Sequence, residues 1–186
     1  MEWLLIRPFF REIIVMLALA AVIFLALNIM TQASIIEKSS MQPTLDVGQR
    51  IIINKVVYNF HGPERGDIII FHPPTNPDQK TPPFIKRIIG LPGDIVEVKD
   101  GTVYINDSPL EEPYIKDPPR YTLPVQKIPE NNYFVLGDNR NNSNDSHNDW
   151  TVPRQSIIGK AWLSIFPLNK WGVISNYPLP TSQLYA

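Results

Sequence analysis

The sequence predicts a mainly β protein carried on a single N-terminal transmembrane helix. Three observations predict it. One apolar run, Ile13–Met30, is 18 residues long with Asn28 as its sole polar member. The rest of the chain alternates short β-branched runs with turn residues. Proline occurs 19 times in 186 residues, roughly twice its average share, which suits short strands joined by stiff loops. Outside the apolar run no helical period of useful length occurs, and no internal repeat is visible.

Taken in order, residues 1–12 form a short stretch containing Arg7 and Arg11. Residues 13–30 follow as the anchor. At 1.5 Å per residue they just span a hydrocarbon core of about 30 Å. The apolar part of a signal peptide is usually about 7–15 residues, and Thr31-Gln32-Ala33 is a poor cleavage site, so the run reads as retained. A core helix would carry a polar face, and this run has none. Arg7 and Arg11 before the run, against Lys38 after it, place the N-terminus in the cytoplasm and the large domain on the exported face.

Residues 31–175 read as one β domain. Candidate strands are Arg50–Asn54, Asp67–Phe71, Phe84–Gly90, Ile95–Lys99, Thr102–Ile105, Tyr133–Leu136 and Ile157–Phe166. They are short, β-branched and bounded by turn residues. Asp100-Gly101 reads as a hairpin turn between two of them. Pro73–Pro83 and Asp107–Pro124 are proline-rich and expected to be extended, exposed connections. From Asn176 onward, residues 176–186 read as a loose tail.

About 150 residues bury a core without cross-links or metals. The absence of cysteine excludes a disulfide scaffold, a cysteine nucleophile and thiolate metal sites. A net charge of -1 with no basic block argues against a nucleic-acid partner.

Three segments carry potential chemistry. Ser40 begins Ser40-Met41-Gln42-Pro43-Thr44-Leu45, ten residues after Met30, so it cannot stray far from a membrane surface. Pro43 fixes its own φ and biases Gln42 toward an extended conformation, making a rigid frame for the serine. A serine hydroxyl needs a neighbouring base before it attacks anything. Taken alone, Ser40 is equally a turn or N-cap residue.

Lys86 lies in Phe84-Ile85-Lys86-Arg87-Ile88-Ile89-Gly90. On a strand it shares a face with Phe84 and Ile88, while Arg87 shares the other with Ile85 and Ile89. Both faces are apolar-rich, so both are expected to be covered. Burial disfavours an ammonium and makes a lysine a base near neutral pH. The plain alternative is a lysine whose head reaches water. The third segment, Gly137 to His147, is dense in short polar side chains. As a calcium loop it fails, because Arg140 falls on a ligand position and Ser143 replaces the required glycine. An Asx-rich loop is its plain reading.

Together these segments resemble the type I signal peptidases. Ser40-Met41-Gln42-Pro43-Thr44-Leu45 looks like the family's nucleophile box, and Arg65-Gly66-Asp67-Ile68-Ile69 like the next. Ile85-Lys86-Arg87-Ile88-Ile89-Gly90-Leu91-Pro92-Gly93-Asp94 looks like the lysine box. Gly137-Asp138-Asn139-Arg140, with Asn142-Ser143 and Asp145-Ser146, looks like the last. Order and spacing agree from residue 36 to about 160.

The resemblance implies a signal-peptidase-like β domain and a membrane-bound serine endopeptidase that releases exported preproteins by cutting after signal peptides of Ala-x-Ala type. It implies Ser40 as nucleophile and Lys86 as base. Ser143 would orient the Lys86 amine, and Asp145 would organise that wall. The Ser40 N–H would donate to the oxyanion. Ile36, Leu45, Phe84 and Ile85 would line shallow pockets for small substrate side chains, with the substrate added as a strand along Phe84–Lys86. The implied partners are preprotein signal peptides, the lipid bilayer and, by proximity, the export machinery. No metal or organic cofactor is implied. The membrane would be the plasma membrane, with a thylakoid as the alternative.

The chain departs from the family pattern at three positions. Lys38 stands two residues before the nucleophile, where many relatives carry a small or polar residue. Asn141 replaces an Asp, and His147 replaces an Arg but could still pair with Asp145. Three rival readings fit the sequence less well. A Ser-His-Asp hydrolase would draw on His61, His72 or His147, but no Gly-x-Ser-x-Gly surrounds Ser40. A self-cleaving Ser-Lys regulator of DNA binding would need a helix-turn-helix arm. A catalytically dead binding domain is disfavoured by the intact Ser40, Lys86 and Ser143.

Overall fold

The structure is a computed structural model that describes residues 3–74 and 82–177, with side chains from residue 10 onward. It opens with helix α1, Trp3–Met30. Within it Phe10–Met30 is long and apolar enough to cross a membrane, with a mean hydropathy of 2.9 and no buried surface. Its Asn28 side chain donates to the Phe24 carbonyl, and Thr31, the residue just after the helix, donates to that of Leu27. An unpaired polar group in lipid would cost several kcal/mol.

The rest is β, in two sheets with every pairing antiparallel. The strands are β1 (Thr31–Ile35), β2 (Arg50–Asn54), β3 (Ile68–Phe71), β4 (Phe84–Gly90), β5 (Ile95–Lys99), β6 (Thr102–Ile105), β7 (Ser108–Pro109), β8 (Leu123–Lys127), β9 (Asn132–Leu136), β10 (Val152–Pro153), β11 (Ile157–Phe166) and β12 (Gly172–Val173). The large sheet runs β1-β2-β11-β3-β4-β9-β10 with β12 beside β11, and the small sheet runs β7-β6-β5-β8. Asp100 and Gly101 both take positive φ, 50° and 74°, so the predicted hairpin has the mirror-image turn that matches strand twist.

Residue alternation divides the core. Ile68 and Ile70 of β3 pack with Ile36, Met41, Leu45, Ile51 and Ile53. Ile69 and Phe71 face the other way, with Ile88, Tyr133 and Val135. Phe134 and Leu136 of β9 turn toward the small sheet and meet Val96, Val98, Val103 and Ile105. A strand covered on both faces reads as a continuous apolar run, which is why β3 is Ile-Ile-Ile-Phe.

Two expectations change. Asp107–Pro124 is not an exposed connection throughout. Tyr114 is buried, Ile115 and Tyr121 pack on the small-sheet core, and the segment contains β7 and the first residues of β8. Proline density had masked three inward-facing apolar side chains. The chain at Ser175–Tyr177 is docked rather than loose. The Ser175 and Asn176 carbonyls accept from Arg87, and Tyr177 packs on Tyr114 with centroids 5.3 Å apart. Residues 178–186, and the part of Pro73–Pro83 from 75 to 81, lie outside the described residues.

Candidate active site

Ser40 is the middle residue of a single 3₁₀ turn, Ser39–Met41, entered from an extended Lys38 and left through an extended Gln42. Met41 and Leu45 anchor the turn in the core, and the Leu45 N–H donates to the Met41 carbonyl. The loop after β9 fastens it from the other side. The Asn139 N–H donates to the Ser40 carbonyl, the Asn139 amide to the Ser39 carbonyl, and the Asn142 amide to Ser39 Oγ. Gly137 is needed where these segments touch, because a Cβ there would lie 2.5 Å from the Ser40 carbonyl oxygen and 2.3 Å from Ser143 Oγ.

Lys86 reaches this turn from β4. Its Nζ stands 2.8 Å from Ser40 Oγ and 3.0 Å from the Ile85 carbonyl, and the residue is only 4% exposed. Burial is the main reason its ammonium is held down at about 8. The charge of Lys38 pushes in the same direction, while those of Asp145 and Asp138 oppose it. β9 pairs with Arg87, Ile88 and Gly90, so among the described residues no strand pairs with Phe84–Lys86 on that side.

The next residue, Arg87, points to the other face and meets Asp138. Nε and one terminal nitrogen donate to the two carboxylate oxygens at 2.9 and 2.7 Å, with both side chains fully buried. Thr44, four residues after Ser40, also donates to Asp138, at 2.5 Å. The guanidinium donates to the Gly66 carbonyl and lies 4.1 Å from the Tyr114 ring centroid. This pair ties together β4, the Ser40–Leu45 segment, the loop after β9 and the end of the described chain. Sequence reasoning placed Arg87 and Asp138 in their boxes without seeing them as a pair. The available signal was an arginine on an apolar strand and an aspartate following Phe-Val-Leu-Gly, two charges that burial forces to find partners.

Asp145 is fully buried. One oxygen accepts from the Gly137 N–H at 2.8 Å, and the other accepts at 2.7 Å from His147 Nδ1, whose ring stacks on Tyr121. Ser143 lines the same cleft as Ser40 and Lys86. Its buried Oγ has no hydrogen-bond partner, so the expected bond to the Lys86 amine is not formed. Leu45 also departs from expectation. It is fully buried in the core and is not among the cleft's lining residues, because the turn after Pro43 carries it inward. Ile36, Phe84 and Ile85 do line the cleft, which has a volume of about 780 Å³ and also takes in Met41, Ile53 and Ile70. No histidine hydrogen-bonds Ser40 Oγ among the described residues; its bonded partner is Lys86.

A serine hydroxyl hydrogen-bonded to a buried lysine whose ammonium form is disfavoured, beside a cleft, is an arrangement that can support acyl transfer. Residues 8–166 match the family described as signal peptidase, peptidase S26. The chain belongs to that family. Over 174 residues it is 45% identical to the probable signal peptidase I-1 of Synechocystis sp., covering 91% of this chain and 89% of that one. It is 48% identical over 163 residues to the signal peptidase I of Leptolyngbya laminosa, covering 84% and 80%. It is also 41% identical over 142 residues to the chloroplastic thylakoidal processing peptidase 1 of Arabidopsis thaliana, covering 73% of this chain and 42% of that one.

Proposed function

We propose that this signal peptidase is a membrane-anchored serine endopeptidase that cleaves signal peptides from exported preproteins, with Ser40 as nucleophile and Lys86 as general base. The observation that carries the dyad is the 2.8 Å contact between Lys86 Nζ and Ser40 Oγ in a buried setting. The unprotonated amine takes the Ser40 proton as Oγ attacks the scissile carbonyl. The resulting ammonium gives that proton to the leaving amine, and an acyl-enzyme remains. Water, activated by the same amine, then frees Ser40. The Ser40 N–H, in the middle of a single 3₁₀ turn too short to use it, donates to the oxyanion. Contacts of this kind are worth about 3–4 kcal/mol in other hydrolases.

Ser143 and Asp145 keep supporting roles in this scheme. The unpartnered Ser143 hydroxyl is free to turn toward the amine, and Asp145 fixes the Gly137 backbone against the nucleophile turn. The substrate strand adds to the unpaired edge at Phe84–Lys86. Ile36, Phe84 and Ile85 border pockets that exclude large side chains, which accounts for small residues at the cleavage site.

α1 leads directly into β1, which holds the site near the bilayer surface. Phe166 at the end of β11, Val173 on β12, and Leu168 and Trp171 in the connection between those strands are all exposed, an apolar surface suited to lipid. We place the N-terminus in the cytoplasm and the β domain on the exported face of the plasma membrane, beside the export machinery. A thylakoid membrane is the second reading, favoured by the likeness to a thylakoidal processing peptidase.

The test is cleavage of a model preprotein by wild type, Ser40→Ala and Lys86→Ala, with product masses locating the cut. Both variants are expected to fold and to lose cleavage entirely. Substantial activity in either one sinks the dyad.

A further inference from the structure

Lys38 lines the cleft and enters the nucleophile turn with extended backbone, φ -124° and ψ 153°. Its ammonium does not simply project into solvent. It lies 5.4 Å from the centroid of the Phe84 ring, and the Lys86 ammonium lies 5.4 Å from the same centroid. The two charges are therefore no more than about 11 Å apart. We propose that Lys38 is a positioning residue for the reaction: held near the ring that also carries Lys86, its charge adds to burial in favouring the unprotonated form of Lys86 that attack requires.

The groups facing Lys86 support this. From the turn comes Ser40, which is uncharged. From the end of β9 and its loop come Asp138 and Asp145, the two anions that favour the ammonium. Each is already engaged: Asp138 by Arg87 and Thr44, Asp145 by the Gly137 N–H and His147. Glu37 also lines the cleft but is not among the charges acting on Lys86. Lys38 is the cation among those that act, and its effect has the same sign as burial. At ~11 Å and an effective dielectric of ~20, such repulsion amounts to roughly one pH unit; screening over a Debye length of ~8 Å reduces it to a few tenths.

The inference rests on Lys86 being the base. Its test is the pH profile of kcat/KM for the full chain in detergent micelles, using a model preprotein. Removing a nearby positive charge makes the ammonium easier to hold, so the acidic limb of Lys38→Met is expected to move up by about 0.3–1 pH unit. Its activity at pH 7 then falls about 2- to 10-fold, and the loss narrows as pH rises past the limb. Lys38→Arg is expected to keep the wild-type midpoint and Lys38→Glu to move it further up. Added salt is expected to raise the wild-type midpoint more than that of Lys38→Met. A midpoint that stays fixed in all three variants, or one that moves equally in Lys38→Arg and Lys38→Met, overturns the proposal. A wild-type profile with no limb near pH 8, or an active Lys86→Ala, overturns the base assignment itself, so the two failures are distinguishable.

Discussion

Adding one methyl group at Gly137 is predicted to damage catalysis far more than stability. The new Cβ would lie 2.5 Å from the Ser40 carbonyl oxygen, 2.3 Å from Ser143 Oγ and 2.7 Å from Ser143 Cβ. Relaxed contacts begin near 3.5 Å, so the loop and the nucleophile turn must separate by roughly 1 Å. Overpacking of this kind costs about 1–3 kcal/mol, a drop of a few degrees in melting temperature for a domain of this size. Catalysis depends on geometry more steeply, and a displacement of about 1 Å at the reacting groups costs on the order of 10²-fold. Gly137→Ala should therefore lose about two orders of magnitude in kcat, with KM within a few-fold of wild type because the apolar lining is untouched. The assay is steady-state cleavage of a model preprotein at pH 9.5, where Lys86 is largely unprotonated, alongside a thermal melt by circular dichroism. A kcat within threefold of wild type would refute the claim that this backbone contact sets the position of Ser40.

Two further outcomes follow from the buried charges. Asp138→Ala strands a fully buried Arg87 and is expected to destabilise the domain by about 3–5 kcal/mol, read as a large fall in melting temperature; the double change Arg87→Met, Asp138→Leu should recover most of it. Lys86→Met is expected to be more stable than wild type while inactive. Because Lys86 is held at about 8 against an ordinary 10.5, the unfolded chain binds the extra proton between those values, so wild-type stability rises with pH across that window. The Met variant's advantage, at most about 3 kcal/mol, should be full below pH 8 and gone above 10.5, measured by urea unfolding at several pH values.

Much of the fold was legible because most strands obey simple rules. Five candidate strands match their observed limits, including Arg50–Asn54 and Phe84–Gly90, since β-branched runs bounded by turn residues leave little choice. β1 was missed because Thr-Gln-Ala-Ser-Ile has no clear alternation. It is a strand because β2 supplies a partner on one side, which is tertiary information. β8, Leu-Pro-Val-Gln-Lys, was hidden by its proline, tolerable because β8 is the last strand of the small sheet. At the site, burial of Lys86 was readable from the apolar residues on both sides of it. Its distance from Ser40 was not, because 46 positions separate them and only the pairing of β4 with β3 and β9 brings the strand to the turn. Leu45 was misplaced for the same reason. Its spacing from Ser40 was visible, but the direction in which the turn carries it was not.

On the proposed dyad, the buried Arg87–Asp138 pair accounts for Lys86 as a usable base. Adjacent residues on β4 point to opposite faces, so the strand presents one cation to the nucleophile and one to the loop that braces it. A buried lysine beside a free carboxylate would form an ion pair and remain protonated. Here the two nearby carboxylates are occupied, Asp138 by a bidentate guanidinium and Asp145 by a backbone N–H and His147. Arginine suits the first task, since it stays charged and matches the carboxylate fork, whereas lysine suits the second because it gives up its proton when buried. Exchanging the two residues would preserve charge and approximate size yet reverse both properties. The Lys86-Arg87 order is therefore the physical content of the motif: the arginine satisfies Asp138, so that this carboxylate does not hold the proton on the neighbouring lysine.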